Sequence, residues 1–140
     1  MLSHSARGFQ PEHNLQGLPQ LADLENLYFD TSVNCEPFAH ETIIRIMGHD
    51  RLLYGSDYPC SHALGRYVAL GDSFAVIDGD NPILQSRHGT IMPALVGLEH
   101  LRSLKWACWS QGLSDTQVED IFWNNAQRLF GHNMKADMDG

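Results

Sequence analysis

Two short apolar runs that each end in aspartate, separated by one helix-length segment, constrain this chain more than any other feature. "NLYFDTS" (Asn26 to Ser32) sets Leu27, Tyr28 and Phe29 before Asp30, and "RLLYGSD" (Arg51 to Asp57) sets Leu52, Leu53 and Tyr54 before Asp57. Both runs are too short for helices and apolar at successive positions, the pattern of parallel strands covered on both faces. Between them, "EPFAHETIIRIMGHD" places Pro37 near a helix start, where its missing N–H costs nothing, and Gly48 where a C-terminal cap belongs. Phe38, Ile43, Ile44 and Met47 give that helix an apolar face. A strand, a helix and a strand in this order form a βαβ unit and put the chain in the α/β class.

The flanking segments extend the alternation. "PEHNLQGLPQLADLE" spaces Leu15, Leu18, Leu21 and Leu24 at helical intervals despite Gly17 and Pro19, which puts "MLSHS" at the tail of an earlier strand. Leu70 to Arg87, with Gly71, Gly79, Pro82 and several Asp, reads as a long irregular connection. Leu95, Leu98, Leu101, Leu104 and Cys108 then form one helical stripe closed by Gly112. In the last helix Ser114 and Gln117 make a capping box. Val118, Ile121, Phe122, Leu129 and Phe130 give its buried face, and Gly131 its end. The expected division is one portion, 1–131, followed by a frayed tail, 132–140.

Composition narrows the function classes. The 140 residues, 43% hydrophobic and 19% charged, suit one globular domain. A net charge of -8 with only 9 scattered Lys and Arg argues against a nucleic-acid partner. Cys35, Cys60 and Cys108 have neither disulfide-framework nor zinc-site spacing and read as reduced thiols. There is no membrane-length apolar run and no secretory signal, so the expectation is a cytoplasmic protein.

In parallel α/β sheets and barrels, residues just past the strand ends face the mouth where ligands bind. That rule brings His4, Asp30 and Asp57 to one rim. An imidazole and a carboxylate there suit a divalent ion or general acid/base work on water. Each also has a plainer reading, since a strand-end Asp caps turns and His4 beside the N-terminus can be solvated.

"LLYGSDYP", with "NLYFDTS" before it and "IFWNNAQRLFGH" after it, resembles the C-terminal part of the amidohydrolase-related family of metal-dependent hydrolases and decarboxylases. Such proteins build (β/α)8 barrels whose eighth strand ends in a Gly-Ser/Thr-Asp-aromatic-Pro motif. Their terminal helix commonly reads close to Ile121 to Gly131, with Asn124 here where glycine is usual. The resemblance implies a partial TIM barrel: the last three β/α units plus extra C-terminal helices. It implies that Asp57 is a metal ligand and proton acceptor, and that His4, in "LSHSARGF", is a second ligand or positions the attacking water. The ion implied is divalent, zinc by expectation. Asp30 falls in a motif whose role in the family is less uniform and can be structural. His62 and Arg66, in the loop after Asp57, are candidate contacts to an anionic substrate, with a solvated loop as the competing reading.

The chain also departs from the family. Members carry a His-x-His pair on the first strand and a histidine on the fifth, which no stretch here supplies, and a barrel takes about 250 residues. The resemblance therefore implies a truncated metal-dependent hydrolase that acts on a small molecule through a metal-activated water. The alternatives are a decarboxylase of the same family and a noncatalytic half-barrel with two open sheet edges that self-associates.

Overall fold

The computed structural model describes residues 1–86 and 89–136. Strand β1, Phe29–Asp30, runs parallel to β2, Leu52–Leu53, with Phe29 opposite Leu52 and Asp30 opposite Leu53. Leu2 adds a parallel bridge to Phe29, so the expected earlier strand contributes a single residue of pairing. Before β1 lie α1, Pro11–Gly17, and a tighter turn, Leu18–Leu21. Helix α2, Pro37–Met47, joins β1 to β2, starting at Pro37 and capped by Gly48 at φ 94°. The βαβ unit expected from the sequence is therefore present, and the fold mixes helices with small sheets.

Its core is apolar. Phe29, Ile43 and Leu52 are fully buried, and Leu18, Leu104, Ala107 and Ile121 pack with them. Phe38, expected on the inner face of α2, is 54% exposed, while His40 takes an inner position with no exposure. Burying His40 requires partners for its ring nitrogens, and they are supplied as described below.

The largest correction concerns the segment expected to be irregular. Gly65–Leu70 (β3) and Ser73–Asp78 (β4) form an antiparallel hairpin in full register from Gly65–Asp78 to Leu70–Ser73. Gly71 stands at the first central position of its two-residue turn with φ 62°, a conformation glycine adopts without strain. A smaller hairpin follows, Gln85–Ser86 (β5) with Gly89–Thr90 (β6), while Arg87, at the end of the expected connection, lies outside the described residues.

Helix α3, Val96–Ser110, forms where the leucine stripe predicts it but rotated. Val96, His100, Ser103, Leu104, Ala107 and Cys108 face in, whereas Leu95, Leu98 and Leu101 stay exposed. The Ser114–Gln117 capping box opens α4, Asp115–Glu119, as expected. A wider turn, Asp120–Asn124, leads into α5, Asn125–Ala136, which continues through Gly131 rather than ending there. An interior glycine costs a helix only about 1 kcal/mol, too little to stop it alone. Phe122 and Phe130 are exposed, so the buried side of this last segment rests on Ile121 and Asn125. The frayed tail expected over 132–140 lies, from 137 on, outside the described residues.

The outer edge of β2 is covered, contrary to the expectation of two open edges. Leu53 C=O faces β1 and accepts from Thr31 N–H at 3.0 Å, so Leu52 C=O and Tyr54 N–H point to the other side. There Asn125 Nδ2 donates to Leu52 C=O at 2.7 Å, and Tyr54 N–H donates to Ile121 C=O at 2.8 Å.

Candidate active site

The rim assembles at the C-terminal ends of the paired strands, where His4 Nδ1 lies 3.9 Å from Asp57 Oδ2. The two side chains are 37% and 33% exposed, so the pair is open to a small molecule. Asp30 stands on the same rim but serves the backbone: its Oδ1 accepts the His4 N–H at 3.0 Å. That fits the structural role left open for it above.

His4 sits in a left-handed helical turn, Ser3–Arg7, with φ of 55°, 52°, 58° and 61° from His4 to Arg7. Left-handed turns of L-residues cost roughly 1–2 kcal/mol per residue, so something must hold this one. Four contacts do. Besides Asp30, Asn34 Nδ2 donates to His4 C=O at 3.3 Å, Asn14 Nδ2 donates to Ser5 C=O at 2.9 Å, and Ser5 Oγ meets His40 Nδ1 at 3.0 Å. His40 Nε2 lies 3.0 Å from Asn34 C=O, which only accepts, so Nε2 carries the proton and Ser5 O–H donates to Nδ1. Burial, reinforced by His100, holds the His40 pKa down to about 3, so this clamp is neutral.

Asp57 is also held at positive φ, 50°, and its approach depends on Gly55. A Cβ on Gly55 would stand 2.7 Å from Ser32 Oγ and 3.5 Å from Asp30 Cβ, and the Gly55 N–H donates to Thr31 Oγ1 at 3.2 Å. Close packing at this point, read from the motif, is what the geometry shows.

His62 and Arg66 are not brought to the pair by any contact among the described residues. The His62 ring meets Tyr58 edge-on at 5.0 Å on the exposed loop after Asp57. Arg66 donates to Glu99 Oε2 and to Cys35 C=O, each at 3.0 Å, and Arg102 also donates to Glu99, so one carboxylate is shared between two guanidinium groups.

Sequence reasoning missed Asn34, His40 and His100. His40 had a usable signal, lying three and four residues before Ile43 and Ile44 and hence on the buried face of α2. His100 is fully buried and stacked on Tyr54 at 5.4 Å, and neither ring nitrogen has a partner among the described residues. Burial lowers its pKa to about 4. Cys35, Cys60 and Cys108 are unpaired, and burial pushes the Cys108 thiol up to about 11.

The family pattern described as amidohydrolase matches residues 1–132. The chain belongs to the amidohydrolase family. No curated protein and no solved structure matches it. Membership points to hydrolase/decarboxylase-type chemistry, and amidohydrolases typically use divalent metals. His4 Nδ1 also lies 3.1 Å from the Ser32 carbonyl, an acceptor, so the nitrogen nearest Asp57 is the one that carries the proton. His4 and Asp57 thus do not turn two lone pairs toward one point, and catalytic zinc takes three protein ligands. Among the described residues no group of three or more His, Cys, Asp or Glu is placed to hold a metal ion. By themselves these residues do not fit the metal of an amidohydrolase. Nor is any described helix long and apolar enough to cross a membrane.

Proposed function

We propose that this chain carries the last three β/α units of an amidohydrolase barrel and contributes the His4–Asp57 pair to the hydrolysis of a small molecule. The observation that supports it is the 3.9 Å approach of two groups distant in sequence at the C-terminal rim of a parallel βαβ unit. Asp57 is the proton acceptor for the attacking water. His4 Nε2, with Nδ1–H committed to Ser32, keeps the lone pair and can take a proton, and the imidazolium then stands beside the Asp57 carboxylate. In our reading the complete enzyme is metal-dependent, with zinc as the ion, and its remaining ligands come from other units of the barrel.

Turnover of lactones, amides and aromatic carboxylic acids by the complete enzyme, with carbon dioxide measured in parallel, tests this. Hydrolysis that falls about 100-fold or more in Asp57→Asn is the expected result. Carbon dioxide release without hydrolysis would replace it with decarboxylation.

A second reading, a noncatalytic half-barrel that self-associates, draws on one surface. Trp106 and Trp109 pair at 5.1 Å on α3 while 55% and 70% exposed, and Trp123 is 59% exposed. Exposed aromatic area of this kind marks association surfaces. Sedimentation velocity of the chain separates the readings, since a stable folded monomer counts against the self-associating half-barrel.

A further inference from the structure

A cavity of about 370 Å³ opens between the left-handed turn, the start of α1 and the β3–β4 turn. Its lining is amphoteric. Arg7 and His13 stand on it from one side of the chain and Asp72 from the hairpin, and none of these three side chains has a hydrogen bond or ion pair among the described residues. Phe9 and Phe74 supply an aromatic wall, their ring centroids 4.5 Å apart. Gln10 Nε2 donates to Gly71 C=O, tying the hairpin to α1, and its Oε1 is a buried acceptor with no partner among the described residues.

We propose that this cavity binds a small zwitterion with a flat apolar group, in chemical class an aromatic α-amino acid. A carboxylate matches Arg7, whose guanidinium offers paired donors, and His13, whose ring N–H adds a third. An ammonium matches Asp72. The ring stacks on Phe74 and Phe9. The volume falls in the range of small-molecule sites. Overall charge selects against the simple anion: the chain carries -8, so a plain aromatic carboxylate is repelled at long range whereas a neutral zwitterion is not. The site shares the strained turn with His4 but none of the groups assigned to hydrolysis. Its occupancy can be read without turnover.

Titration of the ¹⁵N-labelled protein with L-phenylalanine, 3-phenylpropanoate and phenethylamine, followed by amide shifts, tests the proposal. L-Phenylalanine should give saturable shifts confined to the amides around Arg7, Gln10 and Asp72, and each analogue should bind about tenfold or more weakly. Arg7→Gln should reduce L-phenylalanine to the affinity of phenethylamine, and Asp72→Asn should reduce it to that of 3-phenylpropanoate. Both sites are exposed, so the rest of the spectrum reports that the fold is intact. Absence of saturable shifts, shifts centred elsewhere, or an affinity indifferent to both substitutions would overturn the assignment.

Discussion

The βαβ unit and the β3–β4 hairpin solve opposite problems. The parallel strands pair over only two residues each, yet Phe29 and Leu52 are fully buried and Leu53 nearly so, because helices cover them and Asn125 and Ile121 close the outer edge. The hairpin pairs over six residues on each strand, yet Phe74 and Val76 stay 40% and 45% exposed. Long hydrogen-bonded ladders therefore do not mark the stable part of this molecule. Burial does, and the candidate catalytic groups project from turns beside the buried short strands, the one carrying His4 held by side-chain clamps. A hairpin with one thinly covered face is free to shape a surface pocket at little cost to the fold.

The largest effect that can break this comparison is a core truncation. Leu52→Ala or Ile43→Ala should cost about 2–5 kcal/mol, whereas Val76→Ala in the hairpin should stay within about 0.5 kcal/mol. Urea denaturation followed by far-UV circular dichroism measures both. Equal losses would show that the hairpin shares the cooperative core.

Acid should act on the βαβ side through His40. Its pKa is lowered in the folded state to about 3 from an ordinary 6.5, so the unfolded chain binds more protons in between. The stabilisation is complete above about pH 6.5 and is lost as pH falls toward 3, roughly 3 kcal/mol of it by pH 4. In His40→Gln the slope of stability against pH over that window should flatten, even though the variant is less stable overall at pH 7. An unchanged slope would assign acid sensitivity to other groups.

A glycine pair sharpens the contrast at smaller amplitude. Gly55→Ala puts a Cβ 2.7 Å from Ser32 Oγ and should cost about 1–3 kcal/mol, while Gly17→Ala meets nothing within 4 Å and should be neutral or slightly stabilising. Thermal melts of the two variants check this.

Where local rules and burial agreed, the fold was legible. Pro37 and Gly48 bounded α2, Ser114 and Gln117 formed their capping box, and the strand ends placed His4 and Asp57 together. The hairpin also had a signal, since "YVALGDSFAVID" sets Gly-Asp between two strand-like runs, but the density of Gly and Asp in the segment hid it. The rotation of α3 was not legible, because His100 and Ser103 displace Leu98 and Leu101 from the inner face and Ser103 serves the His40–Asn34 network. The clamps on the left-handed turn were equally out of reach. Asn14, Asn34 and His40 act there through contacts that exist only once the chain is folded.

We propose that this rim supplies a proton-handling pair and not, by itself, a metal site. Isothermal titration of zinc into the protein and into Asp57→Ala tests it most directly. The geometry predicts binding weaker than micromolar in both, since His4 Nδ1 carries its proton toward Ser32 and no third donor joins Asp57 among the described residues. Stoichiometric submicromolar binding that disappears in Asp57→Ala would contradict it.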